Sequence, residues 1–389
     1  MVYPAYTLRQ LGLYFLKLGS TGFGGPVALV GYMHRDLVEK RNWISEQEYK
    51  QGLALAQLAP GPLAAQLGIY LGFVHYKIAG ATLAGLAFVL PSFIMVVLLG
   101  IAYKLFDGLP WMQAVFYGIG AAVIGIIAIS AYKLTVKSIG KINMGSIREK
   151  WLLWIFYLTG AIITIITRSE QVIFFLLAGF TYMVVKAPPK WFKGNKSALN
   201  VLLLWNIGFW DYQPGILYKI ALFFAKAGTF VFGSGLAIVP FLHGGVVTGF
   251  HWLNEQQFID AVAVAMITPG PVVITVGFIG YLVAGFPGAA IAAVATFLPC
   301  YLLTVLPAPY FNKFAKDPSL KAFVEGITAA VIGALAGSVI VIAVRVIVDI
   351  PTICIAVATI VSLLYFKKIK EPLLISIAAA IGLLLKMIV

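Results

Sequence analysis

Two short phrases in this chain combine helix-breaking residues with polar neighbours, and each occurs twice. Gly24-Gly25-Pro26 has its counterpart in Gly233-Ser234-Gly235, and Pro60-Gly61-Pro62 in Pro269-Gly270-Pro271. Proline removes a backbone N–H, clashes with the preceding turn and drives the residue before it away from helical angles. A Pro-Gly-Pro run therefore ends one helix and starts another, and Pro62 suits the first position of the new one. A helix start offers free N–H groups and a partial positive charge, which together hold an anion. Hydroxyl and amide donors stand close by: Ser20, Gln57 and Gln66 in the first half, Thr229, Ser234, Thr268 and Thr275 in the second. Lys17 and Lys226 are matched cations inside apolar segments, where ionisable groups are costly and functional by default. Snorkelling to an interface is the competing reading of each lysine. Two cations and several helix starts, without a matched pair of buried carboxylates, favour an anion as ligand.

The elements that must position these residues come as a duplicated set. Lys17-Leu-Gly-Ser-Thr-Gly-Phe-Gly-Gly-Pro26 returns as Lys226-Ala-Gly-Thr-Phe-Val-Phe-Gly-Ser-Gly235, at an offset of 209 that holds through Pro62. One deletion later the offset is 208, which pairs Gly80 with Gly288, Pro91 with Pro299, and Ala121–Gly125 with Ala329–Gly333. The chain thus divides into a first repeat with a basic linker, 1–198, and a second repeat, 199–389. Interrupted hydrophobic segments at corresponding places in two halves point to a transporter's substrate site. Residues 52–59 make a stub of about 12 Å and 63–74 one of about 18 Å. The break then falls near the middle of a hydrocarbon core of about 30 Å, or at the tip of a re-entrant segment. Bare backbone is tolerated there only if it is buried in protein or lines a watery cavity.

Composition sets the class. Of 389 residues, 61% are hydrophobic and 11% charged, and the mean hydropathy is +0.97; soluble domains carry about 25% charged residues. Apolar stretches fall near 11–33, 52–74, 79–103, 111–135, 152–167 and 171–186, then 219–242, 261–283, 288–310, 321–348, 351–366 and 372–388. This predicts an all-α polytopic membrane protein. The net charge of +14 resides in short loops rather than in a basic domain, so cytoplasmic loops explain it and nucleic acid does not. Cys300 and Cys354, both in apolar context, make neither a disulfide framework nor a metal cluster. No cofactor is called for. The N-terminus lacks signal-peptide features, so Met1 is expected to begin the mature chain.

Loop charges orient the halves. The loop 34–51 carries Arg35, Lys40, Arg41 and Lys50, whereas its counterpart 243–260 has neither Lys nor Arg. The loop 136–151 carries Lys137, Lys141, Arg148 and Lys150, against Arg345 alone near 345–351. The bias reverses at 104–110, with Lys104, against 311–321, with Lys313, Lys316 and Lys321. The positive-inside rule then predicts an inverted repeat. Inverted halves need an odd number of crossings each, so one segment must fold back, and the Pro-Gly-Pro segment is the obvious candidate. About ten crossings follow, with both termini outside and the linker lysines Lys186, Lys190, Lys193 and Lys196 inside.

Other residues carry two readings. His34 and His243 are matched, as gates or proton carriers, or as ordinary interfacial histidines. Glu325 serves proton coupling, or caps the start of its helix. Pro91 and Pro299 are hinges or kinks. Trp43-Ile-Ser-Glu-Gln and Trp252-Leu-Asn-Glu-Gln read as an interfacial Trp before a capped helix. The Gly118–Gly125 face reads as close helix packing.

With Phe23–Pro26, Leu55–Pro62 and the tandem halves in hand, the chain resembles the chromate ion transporter family in its two-domain form. The resemblance implies export of chromate through the prokaryotic cell membrane, giving chromate resistance, with sulfate as a competing or exchanged analogue. The second half departs from the motif: Gly-Gly-Pro becomes Gly-Ser-Gly at 233–235, and Met266 stands where the first half has Gln57. The resulting expectation is a secondary carrier working by alternating access in the lipid bilayer. A homodimer is compatible with it. A passive anion channel on the same scaffold and a sulfate carrier remain alternatives. No P-loop for ATP and no zinc or triad motif is present in the sequence, which argues against an ATP-driven pump and against an enzyme.

Overall fold

Thr7, Ser45, Asn254 and Asp349 each open a helix by accepting the N–H of the third helical residue, whose side chain bonds back. These are capping boxes, and they fix where the helices begin. The computed structural model describes residues 6–23, 25–106, 110–141, 143–167, 171–189, 215–229, 231, 235–311, 317–366, 369 and 371–388. Regular structure among the described residues is helical throughout, without a strand. Lys190, Lys193 and Lys196 of the linker lie outside them, as do Lys313 and Lys316.

The first half runs α1 (Leu8–Thr21), α2 (Gly25–Met33) with a π-helical extension His34–Lys40, α3 (Glu46–Leu58), α4 (Leu63–Phe106), α5 (Pro110–Ser138), short α6 (Met144–Glu149), α7 (Trp151–Thr167) and α8 (Val172–Lys186). The second half repeats the order: α9 (Ile216–Thr229), a 3-10 turn Gly235–Ile238 leading into α10 (Val239–Leu242) and a π-helical His243–Gly249, then α11 (Glu255–Ile267), a 3-10 turn Val272–Ile274, α12 (Thr275–Val305), α13 (Pro318–Val346), α14 (Ile350–Tyr365) and α15 (Glu371–Ile388). The long helices α4 and α12 are each broken, at Lys77 (φ 51°) and at Ala284–Gly285 (φ 63° at Gly285). Each doubles back there. Gly72 faces Gly80, and Gly280 faces Gly288, close enough that neither pair has room for a Cβ.

The Pro-Gly-Pro segment is the tip of a helical hairpin. Going along α3, Glu48 lies 3.4 Å from His75, Gln51 takes the Tyr70 hydroxyl at 3.4 Å, and Gly52 abuts Tyr70 and Leu67. Partner numbers fall as α3 numbers rise, so the first arm of α4 returns antiparallel to it. The stretch 11–33, expected to cross once, also folds back. Gly22 abuts Leu29, the Tyr14 hydroxyl donates to the Tyr32 carbonyl, and Tyr6 stacks on Trp43 with centroids 4.7 Å apart. Gly22, the extended C-cap of α1, ends that helix and lets the chain reverse where a continuous helix would have continued outward. Both hairpins share one base, where Tyr6 meets His75 at 2.9 Å and Tyr76 donates to the Tyr6 carbonyl.

The halves interlock. Thr82 and Tyr301 hydroxyls meet at 2.7 Å, and the Phe93 and Phe286 rings at 6.2 Å, so the second arms of α4 and α12 pack antiparallel. α5 packs on α14 and α15, while α13 packs on α7 and α8. Small residues make these crossings close: Gly118 touches the Ala378 carbonyl and Gly333 the Tyr157 carbonyl. That is the close packing expected of the Gly118–Gly125 face. Four helical stretches are long and apolar enough to cross a membrane, Leu63–Phe106, Trp111–Ser138, Val272–Tyr310 and Pro318–Val346, and Trp151–Thr167, Ile173–Lys186 and Ile350–Tyr365 are shorter apolar helices. The largest buried cluster spans both halves, from Val96 and Ile124 to Val276 and Ile375.

Candidate functional site

Gly61 and Gly270 sit at the hairpin tips with φ of 144° and 96°, backbone that an L side chain rarely adopts. Gly61 donates its N–H to the Val231 carbonyl at 2.5 Å, and Gly270 donates to the Gly22 carbonyl at 2.9 Å. Gly22 and Val231 are themselves repeat partners, so each half's tip is tied to the other half's first break by the same bond. Beside Pro91, the buried Ser92 hydroxyl donates to the Pro269 carbonyl at 2.7 Å. Its repeat partner Cys300, beside Pro299 and also buried, takes the equivalent place against Gly61: a Cβ added there would lie 3.0 Å from its Sγ. Gln66 is fully buried and donates to the Pro60 carbonyl at 2.8 Å, leaving its Oε1 without a donor among the described residues.

Between these tips lies a cavity of about 10 Å³, room for one water. Pro26 at the start of α2 and Pro62 with Leu63 at the start of α4 line it from one half. Gly235 and Gly270 with Pro271 and Val272, at the two 3-10 turns that lead into α10 and α12, line it from the other. Four helix starts therefore face one small space; Pro26, Pro62 and Pro271 bring no N–H to it, and the positive ends of the helix dipoles are what favour an anion there.

Of the residues singled out in the sequence, Pro26, Pro62, Gly235, Gly270 and Pro271 line that cavity. Gly25, Pro60, Gly61 and Pro269 belong to the same breaks. Gly24, Gly233 and Ser234 lie outside the described residues. Ser20, Thr229, Thr268 and Thr275 donate to the carbonyls of Leu16, Ala225, Ala265 and Val272 in their own turns. Gln57 is exposed. Lys17 and Lys226 are exposed too, on faces of α1 and α9 shared with exposed Leu13, Leu16 and Leu222, and neither lines the cavity. That is where a snorkelling lysine would stand.

His34 pairs with Glu46 at 2.8 Å and with Glu39 at 3.1 Å, and His243 pairs with Glu255 at 2.7 Å. The helix-start glutamates Glu46 and Glu255 are thus partners of the matched histidines as well as favourable first-turn charges. Arg345 adds a second contact to Glu255. Glu325 is half-buried in the second turn of α13, whose N-cap is Asp317, bonded to the Ser319 and Leu320 N–H groups. Capping is therefore not the role of Glu325.

A second cavity, about 660 Å³, opens between the halves and was not foreseen. Asp260, 2% exposed, borders it and accepts from the Tyr103 hydroxyl at 2.7 Å and from Gln256 Nε2 at 2.8 Å. Across it the Tyr117 hydroxyl donates to Asp349 at 2.6 Å. That bond, with the Thr352 N–H, holds the Asp349 carboxyl below the usual carboxylate range. One signal for Asp260 was present in the sequence: it is a lone carboxylate inside an apolar run, where the first repeat has Gln51. No group of His, Cys, Asp and Glu among the described residues is arranged to hold a metal.

The chromate transporter family model matches residues 9–183 and 218–383. The chain is 64% identical over 383 residues to a chromate transport protein of Cupriavidus metallidurans, covering 98% of this chain and 94% of the relative. It is 61% identical over 390 residues to a probable chromate transport protein of Synechococcus elongatus, covering 98% and 97%. A chromate transport protein of Pseudomonas aeruginosa is 29% identical over 350 residues, covering 87% and 81%. No solved structure matches the chain. With both of its repeats matched by one model and two relatives above 60% identity along almost its whole length, the chain belongs to the chromate transporter family.

Proposed function

We propose that this protein is a secondary carrier that exports chromate across the prokaryotic cytoplasmic membrane by alternating access, and so confers chromate resistance. The observation that carries this reading is the convergence of four helix starts, two from each repeat, on one small cavity. A tetrahedral dianion needs donors from several directions, and backbone N–H groups at helix starts supply them in a water-poor site. The cavity holds no more than a water as it stands, which makes this a closed state. Opening it means parting the tips. The two N–H···O bonds and the Ser92 bond resist this by about 1 kcal/mol each. An anion that takes over the freed N–H groups offsets that cost.

The antiparallel packing of α4 on α12 and the reciprocal tip bonds support an inverted repeat. With both hairpins of the first half re-entrant, its crossings are the second arm of α4, then α5, α7 and α8. The described helices then supply four crossings to each half, an even number, rather than the five that the loop charges led to, and the start of α1 lies with the 34–51 loop inside rather than outside. Opposed halves with four crossings each need one crossing more, which the described residues do not include. Rocking of one half against the other alternates access to the tips. Lys17 and Lys226, exposed and outside the closed cavity, act on the anion as it approaches.

Helix starts select charge and shape rather than the central atom, so sulfate competes for the site and is a candidate for exchange. Chromate flux into proteoliposomes, with sulfate inside, outside or absent and with pH gradients of either sign, tests the reading. Flux that depends on trans sulfate or on the pH gradient is expected. Downhill flux indifferent to both would make the protein a channel, and sulfate flux without chromate flux would replace the cargo.

A further inference from the structure

Asp260 is the only fully buried carboxylate among the described residues. One of its bonds crosses between the halves, from Tyr103 at the end of α4, and the other comes from Gln256, one turn back on α11. The cavity it borders, about 660 Å³, has ample room for water and gives the carboxylate a route to solvent. Tyr117, Arg345 and Lys386 line it, and Glu255 and Asp349 are bonded to lining residues. On α11 itself is Glu255, engaged with His243 from the π-helical segment and Arg345 from α13. From α5 comes Tyr117, bonded to Asp349, and from α15 Lys386, 5.0 Å above the Tyr117 ring. α12 and the turn before it contribute no residue to the cavity lining.

α11 connects this carboxylate to the break. From Asp260 to Thr268 is eight residues, about 12 Å of helix at 1.5 Å per residue, and at its end begin the Pro269 and Gly270 contacts that close the tips. The ionised carboxylate accepts from both Tyr103 and Gln256. The neutral acid has one oxygen turned donor and must reorganise the pair. Its protonation state is thus tied to a contact between the halves, and the halves are what alternating access moves. The first repeat has Gln51 here, bonded to Tyr70, so only the second repeat carries a titratable group at this position.

We propose that Asp260 is the proton-binding site of the carrier, and that its loading and unloading from this cavity couples proton entry to anion exit. The inference rests on the carrier reading above and names the ion that drives it. The proton arrives from cavity water, resides on the carboxylate while the halves rearrange, and leaves on the other side.

Proteoliposomes carrying wild type, Asp260→Asn and Tyr103→Phe test it in two modes: chromate accumulation driven by an imposed pH gradient, and chromate–chromate exchange at equal pH. Wild type is expected to do both. Asp260→Asn should lose gradient-driven accumulation by about tenfold or more, the scale of an ordinary coupling free energy, while exchange persists. Wild type without chromate transport in either mode would fell the carrier reading instead. Accumulation retained in Asp260→Asn, or wild-type flux indifferent to the pH gradient, would overturn the proton site and leave the carrier standing. If Asp260→Asn is dead in both modes, Tyr103→Phe decides: a moved pH midpoint of net flux supports the proposal, and an unmoved one overturns it.

Discussion

Gly61 gives its backbone N–H to the Val231 carbonyl at 2.5 Å, and the chain makes the same bond a second time, from Gly270 to Gly22, with the halves exchanged. Each repeat therefore completes the other's broken helices. Neither half alone could satisfy its own break, because the acceptor that the tip glycine needs belongs to its partner.

Substituting those glycines should be costly for two separate reasons. Both have positive φ, which costs an L residue about 1–2 kcal/mol, and neither has space: a Cβ on Gly61 would lie 2.6 Å from Gln66 Nε2, and one on Gly270 would strike Ser92 Oγ. Gly61→Ala and Gly270→Ala are each expected to lower the melting temperature in detergent and to abolish chromate flux. Normal flux from either variant would show that the tips do not form the site.

Ser92 and Cys300 allow a gentler test, since they are repeat partners in equivalent places. Ser92→Ala removes one buried hydrogen bond and leaves the Pro269 carbonyl to find another donor, a loss of about 1–3 kcal/mol. Cys300→Ser installs in the second half the group that the first half already has there. The expected outcome is a clear loss of thermal stability for Ser92→Ala and near-normal stability and flux for Cys300→Ser. Equal damage from both would mean that the two sides of the tip are not equivalent.

The helix crossings are sensitive to size. Gly118 touches the Ala378 carbonyl and Gly333 the Tyr157 carbonyl, so a larger residue meets backbone that cannot rotate away. Gly118→Leu and Gly333→Leu should each cost about 1–3 kcal/mol or more and lower the yield of monodisperse protein on size-exclusion chromatography. Wild-type behaviour from either would contradict the exchange of helices between the halves.

The matched lysines should behave as steering charges. Lys17→Ala and Lys226→Ala are expected to raise the KM for chromate about two- to threefold at low ionic strength, with kcat unchanged and the effect fading in high salt. A collapse of kcat would put a lysine on the bound anion.

Opposed orientation of the repeats is checked by labelling. In a background of Cys300→Ser and Cys354→Ser, a cysteine at Arg41 should react only with reagent on the cytoplasmic side and one at His251 only with reagent outside. Reaction from the same side would end the inverted reading, whatever the packing of α4 on α12.

Much of this was legible in the residues themselves. Hydropathy and the sparse charge determined a helical membrane protein, because water-poor surroundings leave few other ways to satisfy a backbone. Proline and glycine marked the breaks at 60–62 and 269–271, because their covalent limits act locally. The 209-residue offset tied the two halves together. Tertiary structure decided what local rules leave open. Whether Pro60–Pro62 bends a rod or reverses the chain depends on what α3 packs against, and the Glu48–His75 and Gln51–Tyr70 contacts exist only once the hairpin closes. The stretch 11–33 looked long enough to cross, yet Tyr6 found Trp43. Lys17 and Lys226 read as site residues by charge and were turned outward by the buried faces of α1 and α9, where Phe15 and Phe224 pack inside. Asp260 was not singled out in the sequence, and gained its place only when the halves interlocked and Tyr103 came to meet it.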